Sequence, residues 1–237
     1  MRMWVGTSGY SYREWKGSFY PADLPNGEML RHYGSRLPAV EINNTFYRLP
    51  KESVLAGWAQ QVPADFRFVL KASRRITHFK RLKGAEDETG YLLRTAGALG
   101  DRLGVVLFQL PPNLKKDAER LSDFLDGLGA PERATFEFRH DSWFDGEIYD
   151  LLQGKGAALC FADTDEASDD ALERFVSTAP WGYLRLRRAT YDGPALEAWA
   201  ERISGQAWEH AYVFFKHEDG GAGPEMAERF LALAGAG

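Results

Sequence analysis

Short runs of β-branched and aromatic residues recur at Met3–Thr7, Ala39–Asn43, Phe66–Lys71, Gly104–Gln109, Ala134–Phe138, Ala157–Phe161, Gly182–Leu186 and Ala211–Phe215. Such runs read as buried strands. Between them, apolar residues fall at helical spacing over Glu28–Leu37, Val54–Gln61, Thr89–Leu103, Asp117–Leu128, Glu147–Gln153, Asp169–Ser177, Ala195–Ile203 and Glu225–Ala234. Pro194 and Pro224 stand where a first-turn proline belongs, since that position needs no backbone N–H. Strand and helix alternate in units of roughly 30 residues, the size of a βαβ crossover. The expected fold is therefore α/β, a single (β/α)8 TIM-type barrel of parallel strands spanning residues 1–237. An open doubly wound sheet is the competitor. Its glycine fingerprint after the first strand is not met by Gly6-Thr7-Ser8-Gly9, and no low-complexity linker divides the chain.

Residues two apart on a strand share a face. That parity sets polar side chains at the C-terminal ends of most strands: Glu41 and Asn43, Lys71, Gln109, Glu137 and Arg139, Asp163, Arg185 and Arg187, and Lys216. Barrel active sites are built from such strand ends. The competing reading is an ion network satisfied within itself, with Glu41 against Lys71, Glu137 against Arg139 or Arg185, and Asp163 against Arg187.

Composition narrows the setting. The 237 residues are 44% hydrophobic, with a formal net charge of −5, which gives no reason to expect a bulk membrane or nucleic-acid binder. A single cysteine, Cys160, excludes an internal disulfide and fits a reducing compartment. No stretch approaches the ~20 apolar residues of a membrane span, and no signal-peptide pattern precedes the first strand. A cytoplasmic globular protein is the expectation. Cys160 lies on the opposite parity from Asp163, as a packing residue would.

The strand-end set holds the cations Lys71, Arg139, Arg185, Arg187 and Lys216 against the acids Glu41, Glu137 and Asp163. A positive mouth in an acidic protein suits an anionic small molecule, because guanidinium forks match phosphate and carboxylate. The basic stretch Arg74, Arg75, His78, Lys80, Arg81 and Lys83 either extends this patch or is a solvated face. The glycines of Gly220-Gly221-Ala222-Gly223 could offer phosphate-binding N–H groups, although Glu218 and Asp219 oppose it. For catalysis, Glu137 is the first candidate base, with Glu41, Lys71 and Asp163 as further catalytic candidates. Arg139, Arg185 and Arg187 would clamp the anion, and Asn43 and Gln109 would orient it. Tyr10, Tyr47 and Trp143 would supply aromatic walls. The reaction class this supports is acid–base hydrolysis of a phosphate ester or nucleic acid. Two alternatives stay open: a non-catalytic sensor or partner-binding barrel, and a glycoside hydrolase using aromatic platforms beside two carboxylates. No histidine has metal-ligand spacing, so no metal residue is named. No cofactor is evident, and a Mg²⁺-type cation held by oxygens of Glu41, Glu137 or Asp163 is in keeping with the chain. Oligomeric state is not readable.

Five ordered blocks carry a resemblance. They are Trp4-Val5-Gly6-Thr7-Ser8-Gly9-Tyr10-Ser11-Tyr12 with Trp15, then Glu41-Ile42-Asn43-Asn44-Thr45-Phe46-Tyr47, then Phe68-Val69-Leu70-Lys71 with Ile76-Thr77-His78. Phe108-Gln109-Leu110-Pro111-Pro112 and Glu137-Phe138-Arg139-His140-Asp141-Ser142-Trp143 complete the set. The chain resembles the YecE-like family, the domain-of-unknown-function family numbered 72. The resemblance implies a TIM barrel and no defined activity. A nucleic-acid role enters only by fold analogy with metal-dependent endonuclease barrels. Family members often carry asparagines after the last strand, where this chain has Lys216-His217-Glu218-Asp219.

Overall fold

Eight parallel strands close on themselves in chain order. They are β1 (Arg2–Ser8), β2 (Ala39–Ile42), β3 (Arg67–Lys71), β4 (Leu103–Gln109), β5 (Ala134–Glu137), β6 (Ala158–Asp163), β7 (Trp181–Leu186) and β8 (His210–Phe215). In the computed structural model the described residues are 1–165, 169–216 and 219–235. Among them, seven α-helices surround the barrel: α1 (Met29–Arg36), α2 (Glu52–Ala59), α3 (Glu86–Ala96), α4 (Ala118–Asp126), α5 (Gly146–Gly154), α6 (Gly193–Ser204) and α7 (Ala222–Ala234). The expected barrel is the observed one.

Capping explains several helix starts. The side chains of Asp117, Asp145 and Asp192 accept backbone N–H groups at the starts of α4, α5 and α6, each cap contributing about 1 kcal/mol. Two helix boundaries differ from expectation. The stretch Thr89–Leu103 is not one helix: α3 stops at Ala96 and a 3₁₀ segment follows to Arg102. Gly100, at φ 57°, then kinks that 3₁₀ segment, because glycine takes that conformation cheaply. Between β6 and β7 the expected helix over Asp169–Ser177 is a short 3₁₀ segment, Asp169–Arg174.

Both strand faces are apolar, as parallel sheets require. The outward faces pack under the helices in two clusters, one around Val5, Val40, Phe161, Leu184 and Phe215, the other around Phe108, Phe136 and Leu159. The inward face is a separate cluster including Trp4, Val69, Val105, Leu107, Cys160, Tyr183, Tyr212 and Phe214. Each large side chain so buried contributes about 1.5–3 kcal/mol. At the C-terminal ends of the strands the inward residues become polar, and register carries them to one level. Ser8 lies beside Glu41 across β1 and β2, and Gln109 beside Glu137 across β4 and β5.

Candidate functional site

Arg185 occupies the centre of that polar layer. One terminal nitrogen donates to Glu137 Oε2 at 2.6 Å, and the other to Glu41 Oε1 at 2.8 Å. Glu41 also accepts from Ser8 Oγ at 2.8 Å, Asn43 Nδ2 at 3.1 Å and Tyr183 OH at 2.6 Å. Glu137 Oε1 accepts from Gln109 Nε2 at 2.8 Å and Arg139 Nε at 3.1 Å. Since Gln109 gives its amide N–H₂ to a carboxylate, its carbonyl must face the other way, where Lys71 Nζ donates to it at 2.8 Å.

These contacts set the charge states. Burial pushes both carboxyls up, but Arg185 and the donated hydrogen bonds outweigh it, so Glu41 is lowered. Glu137, with Arg139 as a second counter-charge, is lowered to about 2. Both are therefore fixed acceptors of arginine, and every oxygen is engaged. Lys71 lacks a carboxylate partner among the described residues. Burial, then the nearby Arg185 charge, lowers its amine to about 8.

Above the layer lies a pocket of about 200 Å³, walled by Lys71, Arg139, Arg185 and Arg187 together with Ser8, Asn43, Gln109, Tyr12, Phe46 and Tyr47. Four cations and no carboxylate line it. Arg187 is half-buried and makes no hydrogen bond or ion pair through its side chain among the described residues, and burial and Arg185 both lower its pKa. Phe46 covers Lys71, its ring centre 4.3 Å from Nζ. A second cleft of about 330 Å³ shares the walls Tyr12 and Asn43 and continues to Tyr10 and Trp58. Gly9 permits this arrangement. At φ 99° it lets the chain double back, and a Cβ there would stand 2.4 Å from the Tyr12 hydroxyl.

The candidates named from the sequence divide accordingly. Asn43, Lys71, Gln109, Arg139, Arg185, Arg187 and Tyr47 line the pocket, with Glu41 and Glu137 directly beneath. Tyr10 belongs to the adjoining cleft. Two others lie elsewhere. Asp163 shares its strand face with Phe161, which packs on Trp199 of α6, so it is turned away from the lumen. Its partners are Arg188 at 2.9 Å and Tyr191 at 2.8 Å, not the Arg187 side chain. Trp143 is core: it is fully buried, stacked on Phe138 at 4.6 Å, with its N–H on the Leu114 carbonyl. Cys160 is the inward residue of β6, and burial raises its thiol. Tyr183 was not anticipated, although it stands two residues before Arg185 on the same face. The basic stretch after β3 is partly self-paired, Lys80 with Glu88 at 2.6 Å, while Arg74 lies over the rings of Tyr47 and Phe79. Lys216 is described but is not among the pocket-lining residues. His217 and Glu218 lie outside the described residues.

Among the described residues no three His, Cys, Asp or Glu side chains come together as metal ligands, and no helix is long and apolar enough to cross a membrane. A larger hollow, about 750 Å³, opens at the opposite barrel mouth between Trp4, Trp181, His210 and Tyr212. Its arginines are balanced by Asp65, Asp101 and Glu132, and barrel chemistry belongs to the other end. The C-terminal pocket, although smaller, is the candidate site.

A family model described as "Protein of unknown function DUF72" matches residues 4–237. The UPF0759 protein YecE of Escherichia coli (strain K12) is 33% identical over 116 residues, covering 48% of this chain and 43% of that protein, so the match spans less than half of its length. The UPF0759 protein YunF of Bacillus subtilis (strain 168) is 20% identical over 227 residues, 91% of this chain and 78% of that one. Among solved structures, a DUF72 family protein from Thermotoga maritima superposes with a TM-score of 0.85 at 24% identity, covering 98% and 99% of the two chains. One from Enterococcus faecalis gives 0.73 at 19% identity, covering 99% and 98%. These likenesses concern the fold.

Proposed function

The chain belongs to the DUF72 family, and from that premise we propose that it binds a small phosphate-bearing anion at the C-terminal mouth of its barrel. The observation that carries this reading is Arg187, a half-buried guanidinium in a pocket wall with no carboxylate to pair it. A buried charge without a partner is costly, and an arriving phosphate would remove that cost. Arg139 and Lys71 offer further donors, while Glu41 and Glu137 hold Arg185 in place. The adjoining cleft, with Tyr10, Tyr12 and Trp58, has room for the body of a phosphate ester. Acid–base chemistry on that ester, hydrolysis included, falls to Lys71, the pocket-lining group whose pKa lies nearest neutrality. Glu41 and Glu137 are the counter-charges. A glycoside hydrolase needs one carboxyl kept protonated, and the lowered pKa of both glutamates argues against that use. The unpaired Cys160 thiol agrees with a cytoplasmic setting.

The test is thermal unfolding with inorganic phosphate, glycerol 3-phosphate, glycerol and single-stranded DNA, in the natural protein and in Arg187→Gln. At a hundred times the dissociation constant a ligand adds about 2.7 kcal/mol, which for a chain of this size raises Tm by about 5–10 °C. Shifts with both phosphates, absent with glycerol and reduced in Arg187→Gln, support the reading. No phosphate shift in the folded natural protein overturns it. A shift with DNA alone, falling steeply with salt, moves the ligand class to nucleic acid.

A further inference from the structure

The amine of Lys71 is placed unlike those of Lys80, Lys116 and Lys155, which are ion-paired with Asp or Glu. Its hydrogen-bond acceptor is a neutral amide, Gln109 Oε1, whose orientation is fixed because the same amide donates to Glu137. Phe46 closes one side, and the pocket opens on another. A neutral amine in this position still donates one N–H to Gln109 and keeps its lone pair for the pocket. The cations around it attract an anion to within reach of that lone pair. Resting on the anion-binding reading above, we propose that Lys71 is a nucleophile that forms an imine with small phosphorylated aldehydes or ketones held in the pocket.

The step balances without a cofactor. The Lys71 lone pair attacks the carbonyl carbon, a C–N bond forms, and the C=O π pair moves to oxygen, which takes a proton from water. The new ammonium nitrogen gives one proton back to the hydroxide so formed, the carbinolamine hydroxyl takes a further proton from solvent and leaves as water, and the freed nitrogen lone pair closes the C=N bond to leave a protonated imine. Burial and then the neighbouring Arg185 charge serve this step: with the amine lowered to about 8, about one molecule in ten carries neutral Lys71 at pH 7, against about one in 2,500 for an ordinary lysine. A pocket of about 200 Å³ suits a carbonyl compound of two to four carbons beside its phosphate.

The experiment incubates the protein at pH 7 with glycolaldehyde phosphate and sodium cyanoborohydride, then maps adducts on all nine lysines by peptide mass spectrometry. Unphosphorylated glycolaldehyde is the control, and Lys71→Arg is run alongside. The expected result is labelling of Lys71 at least tenfold faster than the median of the other lysines. Excess inorganic phosphate should suppress it, and unphosphorylated glycolaldehyde should not show the preference. Phosphate should still raise the Tm of Lys71→Arg. If phosphate stabilises the natural protein but Lys71 labels no faster than the surface lysines, the imine inference fails and the anion site stands. If phosphate neither stabilises the protein nor slows labelling, the anion reading has failed, and this inference with it.

Discussion

Arg185 and Glu41 meet at 2.8 Å from strands that are not neighbours, β7 and β2, with 2% and 0% of their side chains exposed. With its other terminal nitrogen on Glu137 of β5, the guanidinium crosses the lumen and ties three walls of the barrel together.

Removing that guanidinium should leave Glu41 buried without a cation and Glu137 with Arg139 alone. Arg185→Leu is expected to lose about 3–5 kcal/mol of stability, the usual cost of orphaning a buried charge. Replacing the whole triad in Glu41→Leu/Glu137→Met/Arg185→Leu should recover most of the loss, since no fully buried charge is then left unpaired and Arg139, parted from Glu137, has 42% of its side chain exposed to solvent. Urea denaturation of the two variants checks this. Equal destabilisation in both would show that shape, not charge, is what the triad supplies.

Acid should act on the same triad in a definite direction. Glu137 is lowered to about 2 in the folded protein, against about 4.3 for an ordinary glutamate. Its contribution to stability is complete above about pH 5 and is lost as pH falls toward 2, where the folded state must at last take up the proton. In Arg185→Leu the sign reverses at Glu41. Burial, no longer offset by a cation, should raise that carboxyl, while Arg139 still opposes the rise at Glu137, so that variant should become more stable on going from pH 7 to pH 5. Unfolding free energies measured across that range decide the matter.

The turn after β1 should tie the fold to the pocket wall. Gly9→Ala places a methyl group 2.4 Å from the Tyr12 hydroxyl at a φ of 99°, which costs about 1–3 kcal/mol in backbone strain alone. Tyr12 must move, and with it the wall shared by the pocket and the cleft. The expected outcome is a lower Tm together with weaker binding of glycerol 3-phosphate than of inorganic phosphate, read by calorimetry. The body of the ester, not its anion, should feel the change.

The eight strands were legible because each is a short β-branched run bounded by turns. The pocket cations were legible because Lys71, Arg185 and Arg187 stand at strand ends with consistent parity. Parity alone does not say which face is inward, because both faces of a parallel barrel are apolar. In β6 the larger residues, Leu159 and Phe161, face the helices, while small Ala158 and Cys160 face a lumen already filled by Tyr183 and Tyr212. Asp163 was placed on the wrong side for that reason. Trp143 misled differently. It follows a strand end as a ligand-binding aromatic would, but its ring finds Phe138 and its N–H finds a backbone carbonyl, a pairing across 29 residues that no local pattern announces.

Lys71 should make stability rise with pH, as Glu137 does, but in an alkaline window and by relief of a cost rather than by a gain. Its folded value of about 8 lies below the ordinary ~10.4 of an unfolded chain. Below pH 8 both states hold the proton, and the folded protein bears the full cost of a cation among arginines. Between pH 8 and about 10.4 the unfolded chain binds more protons, so stability rises with pH through that window. Lys71→Met should therefore be more stable than the natural protein at pH 7 by about 1–2 kcal/mol, the linked value being discounted for solvent at the pocket mouth. The difference should shrink toward pH 10. A bound phosphate supplies the missing counter-charge and raises the amine again, so phosphate binding near pH 8 to 9 should take up protons. Calorimetry in buffers of different ionisation enthalpy measures that uptake directly. An unchanged proton count in Lys71→Met would assign the uptake to another group and remove Lys71 from the anion's immediate contacts.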